Sequence, residues 1–264
     1  MNYFGIINSM NKLDGSADTF LLTAGITDQT IVQAVNNLVK DLKTTGIWSK
    51  CIAIYPFVGG NATAHRYNLA DTTQYNLTFN GGWTHSSTGA LPNGTNGFAN
   101  TAINANAKLT QNNTHLAFYS RTAAAAADRV SMGAIVGSSS PMVGIQFRNA
   151  AGNAVAQNSS GTANQTAVTA NSDSSGFFIG NKTSSAIGGL SMIRNGVTLA
   201  SNVAAITTNN FPNANVLIGA YTATTFFDNK QVAYASIGTG FTAQNISDYQ
   251  TIVTNFQIAL SRNV

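Results

Sequence analysis

Leu190-Ser191-Met192-Ile193-Arg194-Asn195-Gly196-Val197-Thr198-Leu199-Ala200 is the stretch on which the fold turns. Its two arms alternate around Asn-Gly, the pair that best tolerates two successive positive φ angles, so it predicts a two-residue type I′ hairpin. Outward from the hairpin the strand period recurs. Upstream lie Cys51–Tyr55 before Pro56, Tyr75–Phe79 before Asn80-Gly81-Gly82, Leu116–Arg121, Met142–Arg148 and Phe177–Gly180, and downstream lie Val216–Gly219 and Val232–Ile237. Many short strands at turn-punctuated spacing read as an antiparallel sandwich rather than alternating α/β units.

Helical spacing is confined to the two ends. Ile31, Val32, Val35, Leu38, Val39 and Leu42 recur on one face between Thr27, read as the cap, and Gly46, placed as a C′ glycine; this predicts a helix over about 28–45. Thr242 caps a second stripe of Ile246, Tyr249, Ile252, Val253, Phe256 and Leu260. The fold class expected is mainly β: a jelly-roll-like antiparallel sandwich with an N-terminal and a C-terminal helix. Residues 1–24 read as an arm without clear period and a possible attachment segment, 25–50 as the amphipathic helix, and 51–264 as the sandwich closed by its terminal helix. Ala123–Ala127 is expected to be a surface loop, and the polar, small-residue run from Asn149 to Ser175 a long loop or a weak edge strand.

The 264 residues hold 8% charged side chains, about a third of the roughly 25% usual in soluble chains. All nine acidic residues are Asp. A surface built this way is neutral and rich in amides and hydroxyls. The formal charge of +4 comes from 13 scattered basic residues, which argues against the concentrated basic face that nucleic acid requires. A single cysteine and three histidines supply no Cys/His set at metal-ligand spacing, so no cofactor or metal is expected. No run approaches the 18 apolar residues of a membrane span, and the N-terminus lacks the pattern of a secretory leader. The Asn-x-Ser/Thr sequons at Asn61, Asn93 and Asn181 are therefore read as unmodified.

Several segments carry a family resemblance. They are Trp48-Ser49-Lys50, Ile54–Gly60, Gly81–Ser86, Leu91–Ala99, Met192–Gly196, Leu217–Ala220, Phe226–Lys230, Ala235–Gly238 and Asn255–Leu260. Together they resemble structural proteins of tailed bacteriophages that carry a concanavalin A/laminin-G-type, lectin-like sandwich, over about residues 25–262. The resemblance implies a virion location as a tail fibre, head fibre or head decoration. It also implies other virion proteins, of capsid or tail, as partners, and a homo-oligomer, commonly a trimer.

Chemistry is sparse. Glucanases of this fold use paired carboxylates, mostly Glu, and this chain has none; its Asp residues stand singly, with Asp28, Asp71, Asp228 and Asp248 read at turns or helix starts. Gly137-Ser138-Ser139-Ser140 lacks the nucleophile-elbow pattern, and Cys51 sits in an apolar strand as an inert thiol. Asp71, Asp128, Asp173 and Asp228 are isolated, which leaves for calcium only a site built from one Asp and amide oxygens, and His65, His85 and His115 read as separate surface or edge histidines. No catalytic role is expected. Sugar recognition needs a flat aromatic and neutral hydrogen-bonding partners on loops. Trp83, His85, Asn93, Thr95 and Asn96 form the leading set for a host surface glycan, with Ser86 beside them, and His65-Arg66-Tyr67-Asn68 forms a second. The competing reading makes Trp83 a core-edge aromatic and Pro92-Asn93-Gly94 a tight turn.

Overall fold

The computed structural model describes residues 12–137, 139–159, 165–207 and 210–264. Among them two antiparallel sheets lie face to face. The inner sheet has the order β13 (Val197–Ser201), β12 (Leu190–Arg194), β11 (Gly176–Lys182), β6 (Thr114–Ser120), β15 (Val232–Gly238), β4 (Gly89–Pro92), β3 (Trp83–Ser86), and β1 (Cys51–Tyr55) also pairs with β15. The outer sheet has the order β10 (Ala167–Ala170), β9 (Asn153–Asn158), β8 (Ser139–Gln146), β7 (Met132–Val136), β14 (Asn215–Ile218), β5 (Phe98–Asn104), β2 (Thr78–Asn80). This is the mainly β sandwich with terminal helices that the strand spacing predicts.

Helices α1 (Gly15–Ala24), α2 (Gln29–Thr44) and α5 (Ala243–Ala259) cover the far face of the inner sheet, while α3 (Ala62–His65) and α4 (Ala105–Lys108) are single turns. The inner sheet is thus buried on both sides, which is why β6 and β15 are buried at every position rather than alternating. Phe118 and Phe178 point between the sheets, where Phe178 stacks on Phe147 with centroids 4.0 Å apart. Their neighbours Tyr119 and Phe177 point the other way, into the helix layer with Tyr234, Tyr249 and Phe256.

The Asn195-Gly196 turn has both φ angles positive, 50° and 78°, and pairs Arg194 with Val197. Asn195 also accepts the Phe177 N–H at 2.8 Å, tying the hairpin to β11. Gly46 takes φ 73° after α2, and Thr242 and Asn245 form a reciprocal capping box on α5, both as expected.

Several expectations are corrected. The cap of α2 is Asp28, not Thr27: its carboxylate accepts the N–H groups of Thr30 and Ile31, a stronger acceptor at the positive helix end. Residues 15–24 of the supposed arm are helix α1, with Ala17, Phe20, Leu21 and Ala24 buried. Asp14 caps it and pairs with Lys43 of α2 at 2.7 Å. Residues 1–11 of that arm lie outside the described residues. The strand expected at Tyr75–Phe79 starts only at Thr78, because Tyr75 is held at φ 55°. Asn149–Ser175 holds β9 and β10, which form the edge of the outer sheet.

The C-terminus is latched. Arg262 is 1% exposed and has no carboxylate partner among the described residues. Its guanidinium donates instead to the carbonyls of Phe57, Pro56 and Ala233 at 2.8, 3.2 and 3.1 Å and to Gln257 Oε1 at 3.0 Å.

Candidate functional site

The sandwich has one edge where β2 ends the outer sheet and β3 ends the inner one. Period-two geometry puts Trp83 and His85 on the same face of β3. There they meet Phe79 of β2: the Phe79 ring lies edge-on to Trp83 at 5.2 Å and to His85 at 4.6 Å, and Trp83 is nearly parallel to His85 at 6.2 Å. The three half-buried rings close the edge between the sheets. The indole Nε1–H donates to the Asn80 carbonyl at 3.2 Å, so the Trp83 polar handle is already spent.

The β4–β5 loop is built by its own carboxamides. Asn93 Oδ1 accepts the N–H groups of Thr95, Asn96 and Gly97, each at 3.0 Å. Asn93 Nδ2 donates to Asn96 Oδ1, which also accepts the Gly82 N–H at 2.9 Å. A Cβ on Gly82 would stand 2.3 Å from Asn93 Nδ2, so the loop closes only over glycine. Among the described residues the Thr95 hydroxyl and the Asn96 amide nitrogen keep no hydrogen-bond partner. The leading sequence set is therefore brought together along one edge, but two of its five members are largely occupied with backbone.

The histidines differ from expectation. His65, the last residue of α3, and His85 approach with Nδ1 atoms 2.9 Å apart, so one ring carries the proton and the other accepts it. Burial, with the neighbouring His85, pushes His65 down to about 3, and burial lowers His85 as well. His115 is a core residue stacked on Phe241 at 4.1 Å, and burial pushes it down to about 4. Its Nδ1 is 2.6 Å from the Thr239 carbonyl and therefore holds the proton, leaving Nε2 to accept the Ser236 hydroxyl at 2.9 Å. This His–Ser pair continues to Tyr249 and Tyr234, and all four residues are fully buried, out of reach of a substrate. Cys51 faces the same network, and burial pushes its thiol up to about 12.

Among the Asp residues, Asp228 is not a surface turn residue: it forms a fully buried ion pair with Lys230 at 2.8 Å. Asp173 pairs with Arg194, and Asp71 is held by Thr73 and Gln74. Among the described residues no three His, Cys or Asp side chains converge as a metal cluster.

Beside the aromatic edge, between α3 and β2, a cleft of about 290 Å³ is lined by Ala62, Thr63, Arg66, Leu77, Thr78 and Phe79. This is the second sequence candidate, reshaped. His65 and Asn68 are buried, and Asn68 is consumed by backbone groups of Ile54, Ala70, Ile52 and Gln74. Arg66 remains exposed, stacked over the Tyr67 ring at 5.4 Å. Sequence spacing carries no sign that Thr63, Thr78 and Phe79 join it, because the cleft forms only where two distant segments meet.

No protein-family model matches the chain, and no curated protein matches it. Solved structures do. A Trypanosoma rangeli sialidase aligns with TM-score 0.54 at 10% identity, over 83% of this chain and 38% of the sialidase. The receptor binding domain of botulinum neurotoxin D aligns with TM-score 0.51 at 13% identity, over 79% of this chain and 54% of that domain. The chain thus spans well under two thirds of either. The shared property is the β-sandwich fold.

Proposed function

We propose that the chain is a non-enzymatic lectin-like module that binds surface carbohydrate at the β2–β3 edge. One observation carries this reading: a half-buried aromatic, Phe79, lines a cleft in which Thr63, Thr78 and Arg66 all keep unspent hydrogen-bonding groups among the described residues. An aromatic face for stacking beside a few polar groups is the arrangement sugars need. The shared fold with a receptor binding domain adds support. Trp83 and His85 buttress Phe79, and Thr95 and the Asn96 amide nitrogen offer further contacts along the same edge.

The test is a glycan array followed by calorimetry on the best hit. Phe79→Ala is expected to abolish binding; because Phe79 also packs against the core, Thr63→Phe, which fills the cleft from an exposed position, serves as a second variant. Undiminished binding by a folded Thr63→Phe protein refutes the cleft.

We further propose display on a tailed-phage particle, as a fibre or capsid decoration assembled with other virion proteins into a homo-oligomer. The segment-by-segment resemblance and the charge-poor composition support it. Immunogold labelling of particles tests this: label on capsid or tail is expected, and its absence from every particle refutes the assignment.

A further inference from the structure

The six arginines of this chain are used in two ways. Five are structural. Arg121 donates to Arg262 O and Gln231, Arg129 to Gly94 O and Phe227 O, and Arg148 to Ala124 O. Arg194 donates to Ser175 O and Asp173, and Arg262 is the C-terminal latch. The Arg66 guanidinium alone has no hydrogen-bond partner among the described residues, and it stands at the cleft.

From this we infer that the ligand of the cleft is an acidic sugar, a pyranose bearing a carboxylate, held by Arg66. The inference rests on the glycan-binding reading above and specifies its substrate class. Three further observations point the same way. The guanidinium lies over the Tyr67 ring at 5.4 Å, which limits its freedom before binding and leaves its planar fork of donors to meet a carboxylate bidentately. The lining includes no Asp, so nothing in the cleft competes for the cation; Asp71, the closest acid in sequence, is committed to Thr73 and Gln74. Thr63 and Thr78 contribute hydroxyls for the ring hydroxyls, and Phe79 an apolar face for the ring carbons. At about 290 Å³ the cleft is at the small end of ligand pockets, roughly 300 to 1,000 Å³, and suits one sugar unit at a chain end or branch.

The experiment compares matched probes by calorimetry at low salt: 3′-sialyllactose against lactose, and oligogalacturonate against its carboxyl-reduced form. At least one acidic probe is expected to bind about tenfold or more tightly than its neutral counterpart, the scale of one charge-assisted pair. Arg66→Gln, at an exposed side chain with no internal hydrogen bond to lose, is expected to erase that difference, so that acidic and neutral partners bind alike. Equal binding of acidic and neutral partners by the unaltered protein overturns the acidic-sugar inference and leaves the glycan-binding reading standing. An acidic preference that survives Arg66→Gln overturns the role of Arg66. Failure to bind any probe, on the array or in solution, overturns both readings together.

Discussion

Lowering the pH from 7 to 5 should cost this protein about 4 kcal/mol of stability, through two histidines that carry no exposed charge. His65 is held down to about 3 in the folded state by burial, with His85 and Arg262 facing it, and His115 to about 4 by burial beneath Phe241 and Tyr249. In the unfolded chain both titrate near 6.5. Their folded values are depressed, so the unfolded state binds more protons throughout the window between the two values. Stability therefore falls as pH drops below about 6.5, and it levels off only near the folded values. At pH 5 each site has lost about 2 kcal/mol at roughly 1.4 kcal/mol per pH unit. The depression of His85 acts in the same direction.

The shifted carboxylates and cations lie outside this window. Asp14, Asp71 and Asp173 titrate below the ordinary carboxylate value. Lys182 and Arg262, lowered by burial to about 8 and about 9, change only in alkali. The assay is urea denaturation followed by the fluorescence of Trp48 and Trp83 at pH 7, 6 and 5. With a slope of about 3 kcal/mol per molar, the midpoint should fall by at least about 1.3 M. His115→Gln should roughly halve that fall. A midpoint that is level between pH 7 and pH 5 would refute the burial argument for both residues.

Two further outcomes are expected. Arg262→Met leaves three backbone carbonyls and Gln257 without their donor and should cost about 3–5 kcal/mol by urea denaturation, less than the sum of four bonds because burying the cation was itself unfavourable; a loss under about 1 kcal/mol contradicts the latch. Asn93→Ala strips the acceptor from three N–H groups of an exposed loop and should cost about 1–3 kcal/mol, with faster amide exchange at Thr95, Asn96 and Gly97 as the decisive measurement.

Much of the fold was legible because its signals are local. The Asn195-Gly196 turn, the Thr242 cap and the Gly46 stop each depend on residues within a few positions, and each stands where the spacing put it. Helix α1 was legible too, in hindsight: Ala17, Phe20, Leu21 and Ala24 follow the i, i+3, i+4, i+7 pattern. It was obscured by the Gly, Ser and Thr residues around them, which are weak helix formers. What sequence spacing does not contain is the contact between distant edges. Nothing local says that His65 and His85 share a hydrogen bond, or that Phe79 of one sheet seals against Trp83 of the other.

The same limit explains why an amide-rich loop is a poor guide to a binding site in this chain. A carboxamide oxygen suits a backbone N–H as well as it suits a sugar hydroxyl, and in a chain with few charged side chains it is spent largely on the backbone. Asn68, Asn93, Asn96 and Asn195 are all committed to backbone. The informative quantity is the hydrogen-bonding capacity left over after folding, and a polar residue type alone does not reveal it. By that measure Thr63, Thr78 and above all Arg66 outrank the asparagines, since an arginine carries five donors and Arg66 spends none of them on the described residues. Function in so neutral a protein is best sought where a folded structure leaves a strong donor idle beside an aromatic ring.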